Sequence, residues 1–91
     1  MERRYHAKNG KIYLINERFD YKMGPTGQLV LKCVLTANEE GKHGSPIVIE
    51  VLENEVPELV EEHPEMTEEK KKSVLLGVAV GRLEQRLDQL R

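Results

Sequence analysis

The sequence predicts a small α+β domain, an antiparallel four-stranded meander followed by a short helix and a long amphipathic C-terminal helix packed on the sheet. Three observations carry that expectation. Two turn signals, Asn9-Gly10 and Gly24-Pro25-Thr26-Gly27, each separate stretches in which apolar and polar residues alternate, the mark of β-hairpins. From Thr67 onward there is no proline and the apolar period lengthens to that of a helix. The 91 residues suit one domain, with the sheet over 1–53, a short helix and linker over 54–66 and the C-terminal helix over 67–91.

The first hairpin is expected around Asn9-Gly10. Asn-Gly favours a two-residue type I′ turn, in which both central residues take positive φ. That register pairs Ala7 with Ile12 and Tyr5 with Leu14, placing four apolar residues on one face. Next, Phe19, Tyr21 and Met23 alternate with Arg18, Asp20 and Lys22. Pro25 suits the second position of a type I turn and Gly27 the left-handed residue after it. A three-residue loop, Pro25 to Gly27, pairs Met23 with Leu29, Tyr21 with Leu31 and Phe19 with Cys33, and sets Asp20 opposite Lys32. Apolar parity changes between Leu14 and Phe19, so a bulge or bend is expected at Asn16-Glu17.

The third strand is expected over Leu29 to Ala37 and a polar, glycine-bearing loop over Asn38 to Ser45. A fourth strand, Pro46 to Leu52, is apolar on both faces and reads as central or covered by the helix. Pro57 to His63 forms a short helix, begun by Pro57 and ended by Pro64. Thr67 is the N-cap of the last helix, with Glu68 and Glu69 against its positive end.

That helix is the most informative element. At about 1.5 Å per residue it is roughly 37 Å long, against about 30 Å for a compact domain of this size, so its end is expected to have trouble burying itself in one subunit. Its first half, Val74 to Val80, is apolar almost all round, and also fits a strand because it is rich in β-branched residues. Gly77 and Gly81 each cost about 1 kcal/mol relative to alanine inside a helix. They imply close approach of another backbone, either the chain's own sheet or a helix of a second subunit. Leu76, Val80, Leu83, Leu87 and Leu90 step by four and three and make a heptad seam, the expected interface of a homodimer.

Charge is blocked along the chain. Residues 1–23 hold six Lys/Arg against three Asp/Glu, residues 50–69 hold nine Glu and no Lys/Arg, and residues 70–91 hold six Lys/Arg against two acids. Such blocks are interaction surfaces or solvated faces that neutralise one another across the fold. Cys33 is the single cysteine, so no intramolecular disulfide forms, and Met1 to His6 has no apolar leader run. The cytoplasm is the expected compartment, with no membrane association.

No catalytic, cofactor or metal signature is present. His6, His43 and His63 lie far apart, with no cysteine or histidine at ligand spacing. Gly41 to Ser45 lacks the spacing of a phosphate loop. The expected function is therefore a small non-enzymatic interaction or regulatory module, homodimeric, binding a protein partner through a charged surface centred on Glu58, Glu61 and Glu62. Its size and blocked charge suit a phage- or operon-encoded accessory factor. A first alternative is nucleic-acid binding through Arg3, Arg4, Tyr5, Lys8, Lys11 and Tyr13, a basic strand interleaved with aromatics. A second is a nucleotide- or metabolite-binding protein that uses the 38–45 loop.

Overall fold

The computed structural model describes residues 2–61 and 66–89. Four antiparallel strands run in the order β1 (Glu2–His6), β2 (Ile12–Met23), β3 (Leu29–Glu39) and β4 (Ile47–Leu52). A single 3-10 turn over Glu53–Glu55 leads to the five-residue helix α1 (Pro57–Glu61), and the long helix α2 (Glu68–Gln89) lies across one face of the sheet. The expected α+β meander is the observed fold. Val74 to Val80 is helical, because the surrounding charged, proline-free sequence continues the helix through it.

The Gly24 to Gly27 hairpin has the expected register, with Phe19 opposite Cys33, Asp20 opposite Lys32 and Met23 opposite Leu29. The Gly27 N–H donates to the Gly24 carbonyl at 3.1 Å, and Gly27 takes φ +86°. The first hairpin repeats this turn rather than the type I′ form. Gly10 donates to the Ala7 carbonyl at 3.1 Å and has φ +86°. Among the described residues no position other than glycine has positive φ, so Asn9 does not adopt the conformation that type I′ requires. Instead, the Asn9 side-chain oxygen accepts from the Lys11 N–H at 2.9 Å, and its amide donates to the Tyr13 hydroxyl at 3.2 Å.

The extra loop residue shifts the register by one, to Tyr5 opposite Tyr13 and His6 opposite Ile12. A shift of one residue exchanges the faces of a strand. Ala7, Tyr13 and Ile15 therefore enter the core, while Ile12 and Leu14 lie half-buried on the open face. With odd residues inward from Tyr13 to Phe19, the parity change disappears. Strand β2 pairs with β3 without a bulge from Tyr13 to Met23, and no bend forms at Asn16-Glu17.

Strand β3 runs on to Glu39, so the mobile-looking loop is shorter than the sequence suggests. Strand β4 is an edge, not a central strand. Its inner residues Ile49 and Val51 are buried under the helix, while Val48 is exposed on the other face. Arg82 of α2 reaches over this edge and donates to the Glu50 carbonyl and to Glu55, both at 3.1 Å. Where β4 ends, the Glu53 carboxylate accepts from the Leu31 N–H at 3.0 Å, supplying the acceptor that a further β4 residue would have offered.

Thr67 caps α2, its hydroxyl accepting from the Lys70 N–H at 3.2 Å. Leu75, Ala79, Leu83 and Leu87, each four residues after the last, form the buried row. They pack on Leu31, Cys33, Leu35 and Val51 in one core. The helix fits within a single chain because the long β2–β3 hairpin draws the molecule out to 41 × 23 × 20 Å. Leu87, two residues before the end of α2, is only 2% exposed.

Candidate functional site

A cleft opens at the end of the sheet where the β1–β2 turn meets the β3–β4 loop. It has a volume of about 610 Å³. The hairpin turn brings Lys8 and Lys11 to one wall, and the β3–β4 loop brings Lys42, His43 and Ser45 to the other. Ala37, Ile47 and Leu87 give the floor an apolar surface, and the Tyr13 hydroxyl, held by Asn9, faces the same space. Gly41, with φ +83°, makes the turn that carries Lys42 across, and the Lys42 N–H donates to the Glu39 carbonyl at 3.1 Å.

The electrostatics of this cleft are one-sided. Among the described residues its one acidic lining residue is Glu39, which stands 3.5 Å from the Lys11 ammonium. Among the described residues Lys8 and Lys42 have no carboxylate partner, and both are exposed. Cationic heads above an apolar floor can hold an anionic group while a less polar body lies beneath it. The two halves of the cleft come from different sequence alternatives: Lys8, Lys11 and Tyr13 from the basic hairpin, and Lys42 to Ser45 from the loop. The first-hairpin register and the extension of β3 bring them together, and no local motif announces the pairing.

The rest of the basic strand is engaged elsewhere. Arg3 pairs with Glu17 at 2.8 Å, and Arg4 forms a two-pronged pair with Glu40 at 2.8 Å on each prong. That pair holds the Glu40 carboxyl below the ordinary glutamate range. The Tyr5 hydroxyl donates to Glu84; burial, then that bond, pushes it up to about 12. Tyr13 is 6% exposed. Tyr13 is thus buried and Tyr5 half-buried with its hydroxyl engaged, and Arg3 and Arg4 are matched by carboxylates.

The heptad seam divides. Leu83 and Leu87 are in the core of one chain, which takes them out of any seam between chains. Leu76 and Val80 are half-buried and, with Ser73 and Gly77, line a groove of about 500 Å³ between α2 and β1. Leu90 lies outside the described residues. Gly77 and Gly81 do not meet the sheet: a Cβ built on either has nothing within 4 Å.

Of the acidic surface, Glu58 is exposed in α1, Glu61 is placed only as the last residue of that helix, and Glu62 lies outside the described residues. Within the same acidic block, Glu53 pairs with Lys71 at 2.9 Å and Glu55 with Arg82 at 3.1 Å. Cys33 is fully buried, and burial, then the charge of Glu17, pushes its thiol up to about 11. Among the described residues no three His, Cys, Asp or Glu side chains gather as a metal site, and no helix is long and apolar enough to cross a membrane. Comparison with protein-family models, curated proteins and solved structures finds nothing that matches this chain.

Proposed function

We propose that this chain is a non-enzymatic binding module whose ligand is a small phosphate-bearing molecule, a nucleotide or a phosphorylated metabolite. The observation that carries this reading is the convergence of Lys8, Lys11 and Lys42 on a cleft in which Glu39 is the one acid among the described residues. Lysine ammonium groups act as point charges toward phosphate oxygens. His43 and Ser45 add polar side chains to the same lining. The apolar floor of Ala37, Ile47 and Leu87 suits a base or hydrocarbon body rather than a bare ion. The single free thiol, buried and unreactive, suits a reducing compartment such as the cytoplasm.

A thermal-shift comparison of nucleoside mono-, di- and triphosphates with the matching nucleosides tests the reading. The phosphorylated members should raise the melting temperature and the nucleosides should not. The effect should fade as salt rises, because the cleft is open to solvent. No stabilisation by any phosphorylated member at low salt overturns the proposal.

A second reading, a self-associating interaction module, is favoured by a different observation. Residues 73–81 of α2 carry no charge at all, including those that face away from the sheet. Its apolar Val74, Leu76, Val78 and Val80 pack on the core but are only half-buried there.

A further inference from the structure

The two edges of the sheet differ in composition. Strand β1 carries Glu2, Arg3, Arg4 and His6, side chains of the kind that blunt an edge. Strand β4 carries one charge in six residues, and its Val48 is 44% exposed. The register fixes which β4 groups point outward. The Leu31 N–H points toward β4, where Glu53 accepts it, and the pairs Cys33–Val51 and Leu35–Ile49 continue that set. Bonded pairs alternate along an antiparallel ladder, so Val48 and Glu50 turn their N–H and C=O groups away from the sheet. The Glu50 carbonyl agrees, because it accepts from the Arg82 guanidinium at 3.1 Å. Among the described residues the N–H groups of Val48 and Glu50 have no acceptor.

Helix α2 forms a wall beside this edge. A groove of about 310 Å³ separates Val48 and Glu50 from Arg82, Gln85, Arg86 and Gln89. Val48 and Glu50 send their side chains to the open face. Strand β4 therefore gives the groove its main chain, and α2 gives it side chains. Those side chains include two arginines and no acid. Arg82 is shared with Glu55 at 3.1 Å, whereas Arg86 is exposed and, among the described residues, has no carboxylate partner. An open edge next to a helix suits an extended segment, which adds a strand and points alternate side chains at the helix.

The arginines select the occupant. A second copy joined β4 to β4 would set two α2 helices side by side, with arginine facing arginine. An acidic strand turns that repulsion into attraction. Arg82 and Arg86 lie one helical turn apart, about 6 Å along the axis. Alternate residues of a strand are about 6.8 Å apart. Two acids with one residue between them therefore match the two guanidinium groups.

We infer that the β4 edge and the adjoining side of α2 hold an extended peptide of the pattern acid–x–acid. Its main chain bonds to Val48 and Glu50, and its two carboxylates meet Arg82 and Arg86. Arg82 gives up the Glu50 carbonyl to the incoming strand. The site shares no lining residue with the lysine cleft and does not rest on phosphate binding there.

The probe is a synthetic peptide, Thr-Glu-Val-Glu-Val-Thr, blocked at both ends and titrated at low salt by calorimetry, with amide hydrogen exchange followed by NMR. The peptide should bind and slow exchange at the Val48 and Glu50 amides. The same peptide with glutamine for glutamate should bind about tenfold more weakly, and so should the acidic peptide to Arg86→Glu. That variant should keep the wild-type melting temperature, because the side chain is exposed. A fully N-methylated acidic peptide keeps its charges but has no main-chain donors, and it should not bind. Absence of binding by the acidic peptide overturns the inference, as does binding that survives N-methylation or Arg86→Glu. Protection of Val48 and Glu50 that rises with protein concentration, without peptide, assigns the edge to a second copy and overturns it too.

Discussion

At Glu53 one side chain does the work of a strand residue. Its carboxylate accepts the Leu31 N–H at 3.0 Å and meets Lys71 at 2.9 Å. Burial alone would raise its pKa, but the Leu31 bond and Lys71 outweigh burial and hold it below the ordinary 4.5. A carboxyl lowered on folding contributes stability that is present above its unfolded value and is lost as pH falls through the folded one. Replacing Glu53 with Ala leaves the Leu31 donor without its acceptor, so a loss of about 1–3 kcal/mol is expected at neutral pH. Chemical denaturation at pH 7 and pH 3 checks this. The gap between wild type and variant should be wide at pH 7 and narrow at pH 3. Cys33 gives a second residue-scale prediction. A fully buried thiol with its pKa at about 11 should resist alkylation in the native state. Labelling by iodoacetamide should follow unfolding, and rapid stoichiometric labelling of the folded protein would contradict the buried placement. The pairing of Cys33 with Phe19 was readable in the sequence, because turn chemistry, alternation and the Asp20–Lys32 pair all point to one register. The role of Glu53 was not, because it depends on where β4 stops, which no local pattern marks.

The two hairpins show what local sequence does and does not specify. Pro25 fixes the second turn position and Gly27 the left-handed one, so a single register fits. Asn9-Gly10 admits two turns that differ by one residue, and local preference points to the tighter one. The core decides otherwise, because only the longer loop turns Tyr13 and Ile15 inward together with Phe19. Both turns depend on glycine at φ +86°, so Gly10→Ala and Gly27→Ala should each cost about 1 kcal/mol in a denaturant titration. Helix α2 was legible from its N-cap to its far end, and Thr67→Ala should cost about 1 kcal/mol. Which of its faces is buried was harder to read. The heptad stripe and the observed row share Leu83 and Leu87, and the all-round apolar centre hides the difference between Leu75–Ala79 and Leu76–Val80. Leu83→Ala should cost about 2–5 kcal/mol, because it empties a site that is fully buried within one chain. A Leu83→Lys variant should unfold rather than yield a stable monomer, as circular dichroism would show.

Across the described residues, part of the blocked charge closes on itself. Arg3 and Arg4 of the first strand and Lys11 of the turn that follows meet Glu17, Glu40 and Glu39, and the cations of α2 meet Glu53 and Glu55. Because these pairs are largely exposed, each contributes little, and salt should change the melting temperature only slightly. The cleft between the two loops gathers two lysines, Lys8 and Lys42, that are not matched in this way. The ingredients of the cleft were visible as two unrelated segments, residues 8–13 and 38–45. Their meeting required the strand order and the β2–β3 register, which are properties of the whole chain. We propose that these two segments together hold a phosphate group. The most direct measurement is a two-dimensional 1H–15N NMR titration of the folded protein with inorganic pyrophosphate at low salt. Saturable shifts confined to the amides of residues 8–13 and 38–45 are expected, as is their loss in a Lys8→Gln/Lys42→Gln variant that keeps the wild-type melting temperature. Unmoved resonances there, or shifts centred on another surface, would contradict it.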